Sequence, residues 1–157
     1  KVLEYNVRFG DPEAEAITLL YPDDLLELLF ACATGSLRIP KEGRFVHAFP
    51  TSSAAAIVLA SPGYPQAPKI GFPITINREG IPWEGDAHFF HADTRMGEKG
   101  LATAGGRVIV ATIRQPNLIK AISRAYQLAD RVSFKGKQLR RDIGARALAK
   151  GSPTAGG

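Results

Sequence analysis

Leu3, Tyr5, Val7 and Phe9 alternate strictly with Glu4, Asn6 and Arg8 at the start of the chain. That is the two-residue period of a strand with one face in a core, and it puts the three polar side chains together on the other face. Gly10-Asp11-Pro12-Glu13 interrupts the pattern, because proline pushes the preceding Asp11 towards an extended conformation. A loop is therefore expected to carry Asp11 and Glu13. After Pro22-Asp23-Asp24 the period changes: Leu25, Leu28, Leu29 and Cys32 fall on one stripe before Gly35. This predicts a helix with proline near its first turn, aspartates at its positive end and the stripe in a core.

Further along, strand patterns cover 54–60, 74–77, 88–92 and 107–113, separated by turns such as Ser61-Pro62-Gly63-Tyr64-Pro65. Asn117, just after Pro116, can cap a second helix. Leu118, Ile122, Ala125 or Tyr126, and Ala129 recur at helical spacing up to about Arg131. The expected class is α+β, with a small β-rich unit closed by one helix. From Ala149 to Gly157 too few apolar residues remain to order the chain, and a flexible tail is expected there.

Composition narrows the class. With 157 residues, 45% hydrophobic and 22% charged, the chain is neither disordered nor collagen-like. No run approaches the roughly 20 apolar residues that cross a bilayer, and Lys1-Val2-Leu3-Glu4 lacks a signal-peptide layout, so a cytoplasmic protein is expected. Cys32 stands alone and cannot form an internal disulfide; among apolar neighbours it reads as a small core side chain. Charge is uneven: residues 1–40 hold three basic and seven acidic side chains, a net −4, which leaves +9 for the remainder. The shift near Pro40-Lys41-Glu42-Gly43 suggests a domain boundary beyond which the surface suits anions, although solvated charges placed by chance would give the same count.

Candidate chemistry is concentrated at the start. Glu4 and Asn6 project hard oxygen donors to one side of the strand, which is what Mg²⁺ accepts while keeping waters and nucleotide phosphates. Arg8 continues the row with a planar guanidinium that grips phosphate or carboxylate through two hydrogen bonds. An exposed strand face with an ordinary Glu and Arg ion pair has the same pattern. His88 and His91, three apart on a strand, point to opposite faces, and no Cys or His cluster completes a zinc site. Gly105-Gly106-Arg107 reads as a turn that could bring Arg107 to a substrate phosphate. The basic run Arg131, Lys135, Lys137, Arg140, Arg141, Arg146 and Lys150 could attract nucleic acid, but only Phe134 interleaves it, and single-strand binders need aromatic platforms.

Taken as a continuous segment, Glu4-Tyr5-Asn6-Val7-Arg8-Phe9-Gly10-Asp11-Pro12-Glu13-Ala14-Glu15 resembles the signature of the phosphoribosylamine–glycine ligase family, which is ATP-grasp in fold. Ala60-Ser61-Pro62-Gly63-Tyr64-Pro65, Phe90-His91-Ala92-Asp93-Thr94, Gly105-Gly106-Arg107-Val108, Ala125-Tyr126 and Arg141-Asp142-Ile143-Gly144 extend the resemblance in family order, over about residues 2–148. The sequence departs mildly at Asp93, where the family more often has glycine, and at Ala14-Glu15, where Thr-Gln is common.

The resemblance implies that residues 1–40 are the C-terminal end of an ATP-grasp catalytic domain and that 41–148 form a β-rich, barrel-sandwich-like C-terminal domain, with 149–157 as the tail. It implies ATP and Mg²⁺ or Mn²⁺ as cofactors, glycine and 5-phosphoribosylamine as substrates, and an amino-terminal part of the same enzyme as partner. The fragment alone would then be inactive. Glu4 and Asn6 are carried over as metal and nucleotide ligands and Arg8 as nucleotide-binding and catalytic. Asp11, Arg107, Arg141 and Asp142 follow as candidate substrate contacts, with Asp11 equally able to orient Arg8 or fix its turn. The rival readings are another ATP-grasp carboxylate–amine ligase, or a non-catalytic docking or nucleic-acid-binding module descended from the C-terminal domain.

Overall fold

The strand pattern of 54–60 is realised as β1 (Ser53–Ala60), and that of 107–113 as β6 (Arg107–Gln115), which pair antiparallel from Ser53↔Gln115 to Leu59↔Ile109. The computed structural model describes residues 2, 5, 7–38, 51–80 and 87–149. A third strand, β3 (Ala87–His91), pairs with the other edge of β6, so the order is β1-β6-β3 with β6 central. Central position explains its composition: Val108, Ile109, Val110 and Ala111 are all fully buried, which requires cover on both faces.

One face is covered by α3 (Leu118–Asp130). Asn117 caps it as expected, its side-chain oxygen accepting from Lys120 N at 2.9 Å. Ala121, Ile122, Ala125, Leu128 and Ala129 are its buried residues, and three alanines among them let the helix approach the sheet closely. They join Ala55, Ile57, Leu59, Ile109, Ala111 and Ile113 in one core. Full burial of an Ile or Leu side chain such as Ile57 or Leu59 stabilises by about 1.5–3 kcal/mol.

The remaining strands are short. The pattern at 74–77 yields only β2 (Thr75–Ile76), paired with β7 (Val132–Ser133), while β4 (Thr94–Gly97) and β5 (Gly100–Thr103) form a hairpin that periodicity did not predict. Its strands, Thr-Arg-Met-Gly and Gly-Leu-Ala-Thr, are too short to show an alternating apolar signature, and Met96 is 76% exposed. The architecture is α+β, a three-stranded sheet with two two-stranded ribbons, and no closed barrel is present among the described residues.

Several expectations are corrected. Among the described residues of the first segment none is in a strand, and Tyr5 and Val7 are 83% and 97% exposed. A strand needs a neighbour for its backbone groups, and the sheet of this chain does not supply one there. Glu13 is not in a loop: after a turn at Asp11-Pro12 it opens α1 (Glu13–Leu20), which lies against β1 and β6. The stripe predicted after Asp24 does form α2 (Leu25–Ala33), with the Asp24 carboxylate accepting from Leu26 N and Glu27 N, but none of its residues is buried. Cys32 is exposed, not a core side chain. The expected single helix of the β-rich unit is joined by a short α4 (Ala145–Ala149), which absorbs the first residue of the expected tail. The rest of that tail and the predicted boundary at 40–43 lie outside the described residues.

Candidate functional site

Three segments converge where β1 ends. After a register shift at Leu59/Ala60, Ala60 pairs with Arg107. The next residue, Ser61, is fully buried; its N–H donates to Gly106 O at 2.9 Å and its hydroxyl to Gly105 O at 2.7 Å. From the end of β3, Asp93 donates its N–H to Arg107 O at 2.9 Å and accepts from Ala104 N at 2.9 Å. Glycine is required at the crossing: a Cβ on Gly105 would lie 2.4 Å from the Asp93 carboxyl carbon, and one on Gly106 would lie 2.5 Å from the Tyr64 ring. The Gly105-Gly106 backbone is thus wedged between a carboxylate and an aromatic ring, and Arg107 leaves that wedge with its backbone held on both sides.

The Arg107 side chain reaches back to the amino-terminal segment. Its Nη1 donates to Asp11 O at 2.7 Å and lies 3.3 Å from Asp11 Oδ1, bridging 96 positions of sequence. Both side chains are about 40% exposed, so the backbone hydrogen bond is the directional part of the contact. Just before Asp11, Gly10 is buried under the Glu13 side chain, and Ala14 N donates to Gly10 O at 3.0 Å. Arg8, three residues ahead of Asp11, is exposed and donates from Nη1 to Phe9 O at 2.9 Å. Glu4 and Asn6, the other members of the proposed row, lie outside the described residues. Their carboxylate and amide oxygens are a donor set that suits Mg²⁺. Among the described residues no group of three or more His, Cys, Asp and Glu is placed to hold a metal ion.

A second cluster lies around Tyr126. Its hydroxyl donates to Arg140 O at 2.9 Å and accepts from Ile143 N at 3.0 Å, which straps 140–143 onto α3. Arg141 stands 5.5 Å from the Tyr126 ring centre and pairs with Asp130 at 3.0 Å. Arg140 and Asp142 form a two-point contact, at 3.0 and 2.6 Å. Hydrogen bonding to Arg140 holds the Asp142 carboxyl below the usual range, and the same contact raises the guanidinium. Lys137 donates to Ala129 O and Val132 O at the end of α3, where a cation satisfies orphan carbonyls; burial pushes its ammonium below the usual lysine range in spite of Asp130. Much of the basic run is accordingly engaged with this chain, since Arg131 also donates to Glu79 O and Lys135 stands over the Phe72 ring.

Tyr64 and Arg140 connect the two clusters, lining with Val58, Ala60, Pro65 and Leu139 an open concavity of about 350 Å³. The structure therefore brings Asp11 and Arg107 together, and sets Arg141 and Asp142 in the separate Tyr126 cluster. Sequence reading missed Ser61, Tyr64 and Asp93 as parts of the wedge, although the segments carrying them had been singled out. His88 and His91 are both exposed on β3, His91 Nδ1 lying 3.1 Å from Thr94 Oγ1.

Residues 54–146 match the family described as Phosphoribosylglycinamide synthetase, C domain. A phosphoribosylamine–glycine ligase of Chlorobaculum tepidum is 40% identical over 148 residues, covering 94% of this chain and 33% of that protein. A bifunctional purine biosynthetic protein of Pichia angusta is 42% identical over 148 residues, covering 94% of this chain and 18% of its own. Among solved structures, the crystal structure of a phosphoribosylamine–glycine ligase from Thermotoga maritima superposes with a TM-score of 0.72 at 36% identity, covering 90% of this chain and 32% of the other. The chain thus spans about a third of the length of the single-function ligases it matches. It belongs to the phosphoribosylglycinamide synthetase C-domain family.

Proposed function

We propose that this chain is the C-terminal portion of an ATP-dependent ligase that joins glycine to 5-phosphoribosylamine in purine biosynthesis. The observation that carries the reading is continuity. Similarity to a ligase runs through 94% of the chain, so the signature of 4–15 and the β-rich unit belong to one protein. In this reading residues 1–40 complete the catalytic domain and 41–148 form the C-terminal domain, and the partner is the preceding portion of the same enzyme. A surface left for that partner is consistent with Leu26 and Phe30 of α2 being 73% and 67% exposed.

The chemistry starts from a carboxylate, which is a poor electrophile. Transfer of the γ-phosphoryl group of ATP to glycine gives an acyl phosphate with a good leaving group. The amine of phosphoribosylamine then attacks the acyl carbon, the carbon–oxygen bond to phosphate breaks and the amine proton is lost. Such reactions depend on positioning and charge stabilisation more than on covalent help from the protein. Glu4 and Asn6 would hold a divalent cation, whose contribution when bound is to neutralise charge on the polyphosphate. Arg8 would restrain the phosphoryl oxygens through its guanidinium fork.

The test is ADP release with ATP, Mg²⁺, glycine and freshly generated phosphoribosylamine. The chain alone is expected to be silent, the chain mixed with the preceding portion active, and the same mixture carrying Glu4→Ala at least about a hundredfold slower. Undiminished turnover with Glu4→Ala would remove that residue from the site; a silent mixture of folded, associated pieces would sink the substrate assignment.

A further inference from the structure

Arg107 stands in the β-rich unit, yet its guanidinium is spent on the segment that carries Arg8. Nη1 donates to Asp11 O at 2.7 Å and pairs with Asp11 Oδ1 at 3.3 Å, across 96 residues. Its own backbone is fixed twice, by pairing with Ala60 and by the bond from Asp93 N. The turn before it is closely packed, since a Cβ added at Gly105 or Gly106 would run into the Asp93 or Tyr64 side chain. On the other side of the contact the chain is equally constrained, with Gly10 buried and Ala14 N bonded to Gly10 O. A rigid donor thus meets a short, anchored turn. Arg8 lies three residues ahead of that turn, and among the described residues its side chain bonds to the adjacent Phe9 O.

We propose that Arg107 is a positioning residue for Arg8: through Asp11 it holds the signature segment on the β-rich unit and so sets where the Arg8 guanidinium stands. The inference rests on the ligase reading for its catalytic half, and on geometry alone for its structural half. It assigns Arg107 a role different from contact with substrate phosphate. A contact residue would act on substrate affinity; a strut acts on turnover, because a misplacement of about 1 Å at a catalytic group can cost on the order of a hundredfold in rate.

Two readouts separate the halves. In this chain Arg107→Ala is expected to speed amide exchange at Ala14 and its neighbours about fivefold, as loss of an exposed ion pair with a backbone hydrogen bond should. Exchange in β1 should stay unchanged, and Arg107→Lys should restore part of the protection. Unchanged exchange at Ala14 overturns the strut. In the mixture with the preceding portion, Arg107→Ala is expected to lower kcat about tenfold or more with the KM for phosphoribosylamine unchanged, and to cost nothing further in an Arg8→Ala background. A raised KM with intact kcat, or losses that add to those of Arg8→Ala, overturns the positioning role. If the wild-type mixture turns over nothing, the ligase reading fails and the catalytic half fails with it, while exchange still decides the strut.

Discussion

Arg140 and Asp142 show how little sequence distance a two-point contact needs: two residues apart, they pair on the exposed surface beside the Tyr126 hydroxyl. Because the Asp142 carboxyl is held below its ordinary value of 3.8 in the fold, the unfolded chain takes up the proton first as pH falls. The stabilisation is therefore present well above that ordinary value and is lost as pH drops through the lowered folded value. Asp142→Asn should unfold at a lower temperature than wild type near pH 6, and the two melting curves should converge as pH falls through the lowered folded value; a difference that stays constant as pH falls would assign the effect to packing. At this scale the sequence displayed the charged groups but not their pairing. Arg141 and Asp142 are adjacent, yet one finds Asp130 and the other Arg140. Which partner each takes depends on how 140–143 is strapped to α3, and that is decided by Tyr126.

Among the elements, α2 and α3 have comparable sequence signals and different fates. The Asn117 cap expected for α3 is realised on Lys120 N, and the aspartates expected at the positive end of α2 include Asp24, which caps Leu26 N. Capping is local, since donor and acceptor lie two or three residues apart, so sequence reveals it. Burial is not local: α3 finds the face of β1 and β6, while α2 has no buried residue. Asn117→Ala should therefore cost about 1 kcal/mol, read as a lowered urea midpoint with unchanged slope, because the cap serves a helix on which the core depends. A changed slope would mean that the helix end unfolds separately. The same division explains the strands. β1 and β6 are long and apolar enough to be read directly, whereas β2 and β7 have two residues each and are set by their pairing, Thr75↔Ser133 and Ile76↔Val132.

For the whole molecule, apolar side chains are distributed unequally. The β-rich unit encloses its own core, yet Val2, Tyr5, Val7, Phe9, Ile17, Leu26, Leu29 and Phe30, all in the first 30 residues, are exposed. A surface of this kind binds an apolar partner or a dye. The chain alone is expected to enhance the fluorescence of an anilinonaphthalene dye and, on the proposed ligase reading, the amino-terminal portion of that ligase to suppress the signal. An enhancement that persists in the mixture would mean that this face meets something other than the catalytic domain.

By itself the sequence determined what depends on neighbours along the chain: the main strands, the Asn117 cap, the turn at 61–65 and, through its ordered signature segments, the family. The tertiary structure decided what depends on neighbours in space. It set Asp93 and Tyr64 against a glycine pair, left the α2 stripe without a fully buried residue and Cys32 exposed, and carried Arg107 to Asp11. The reason is physical: periodicity and capping act within a few residues and leave a mark on residue order, whereas a hydrogen bond across 96 positions exists only once the sheet has closed.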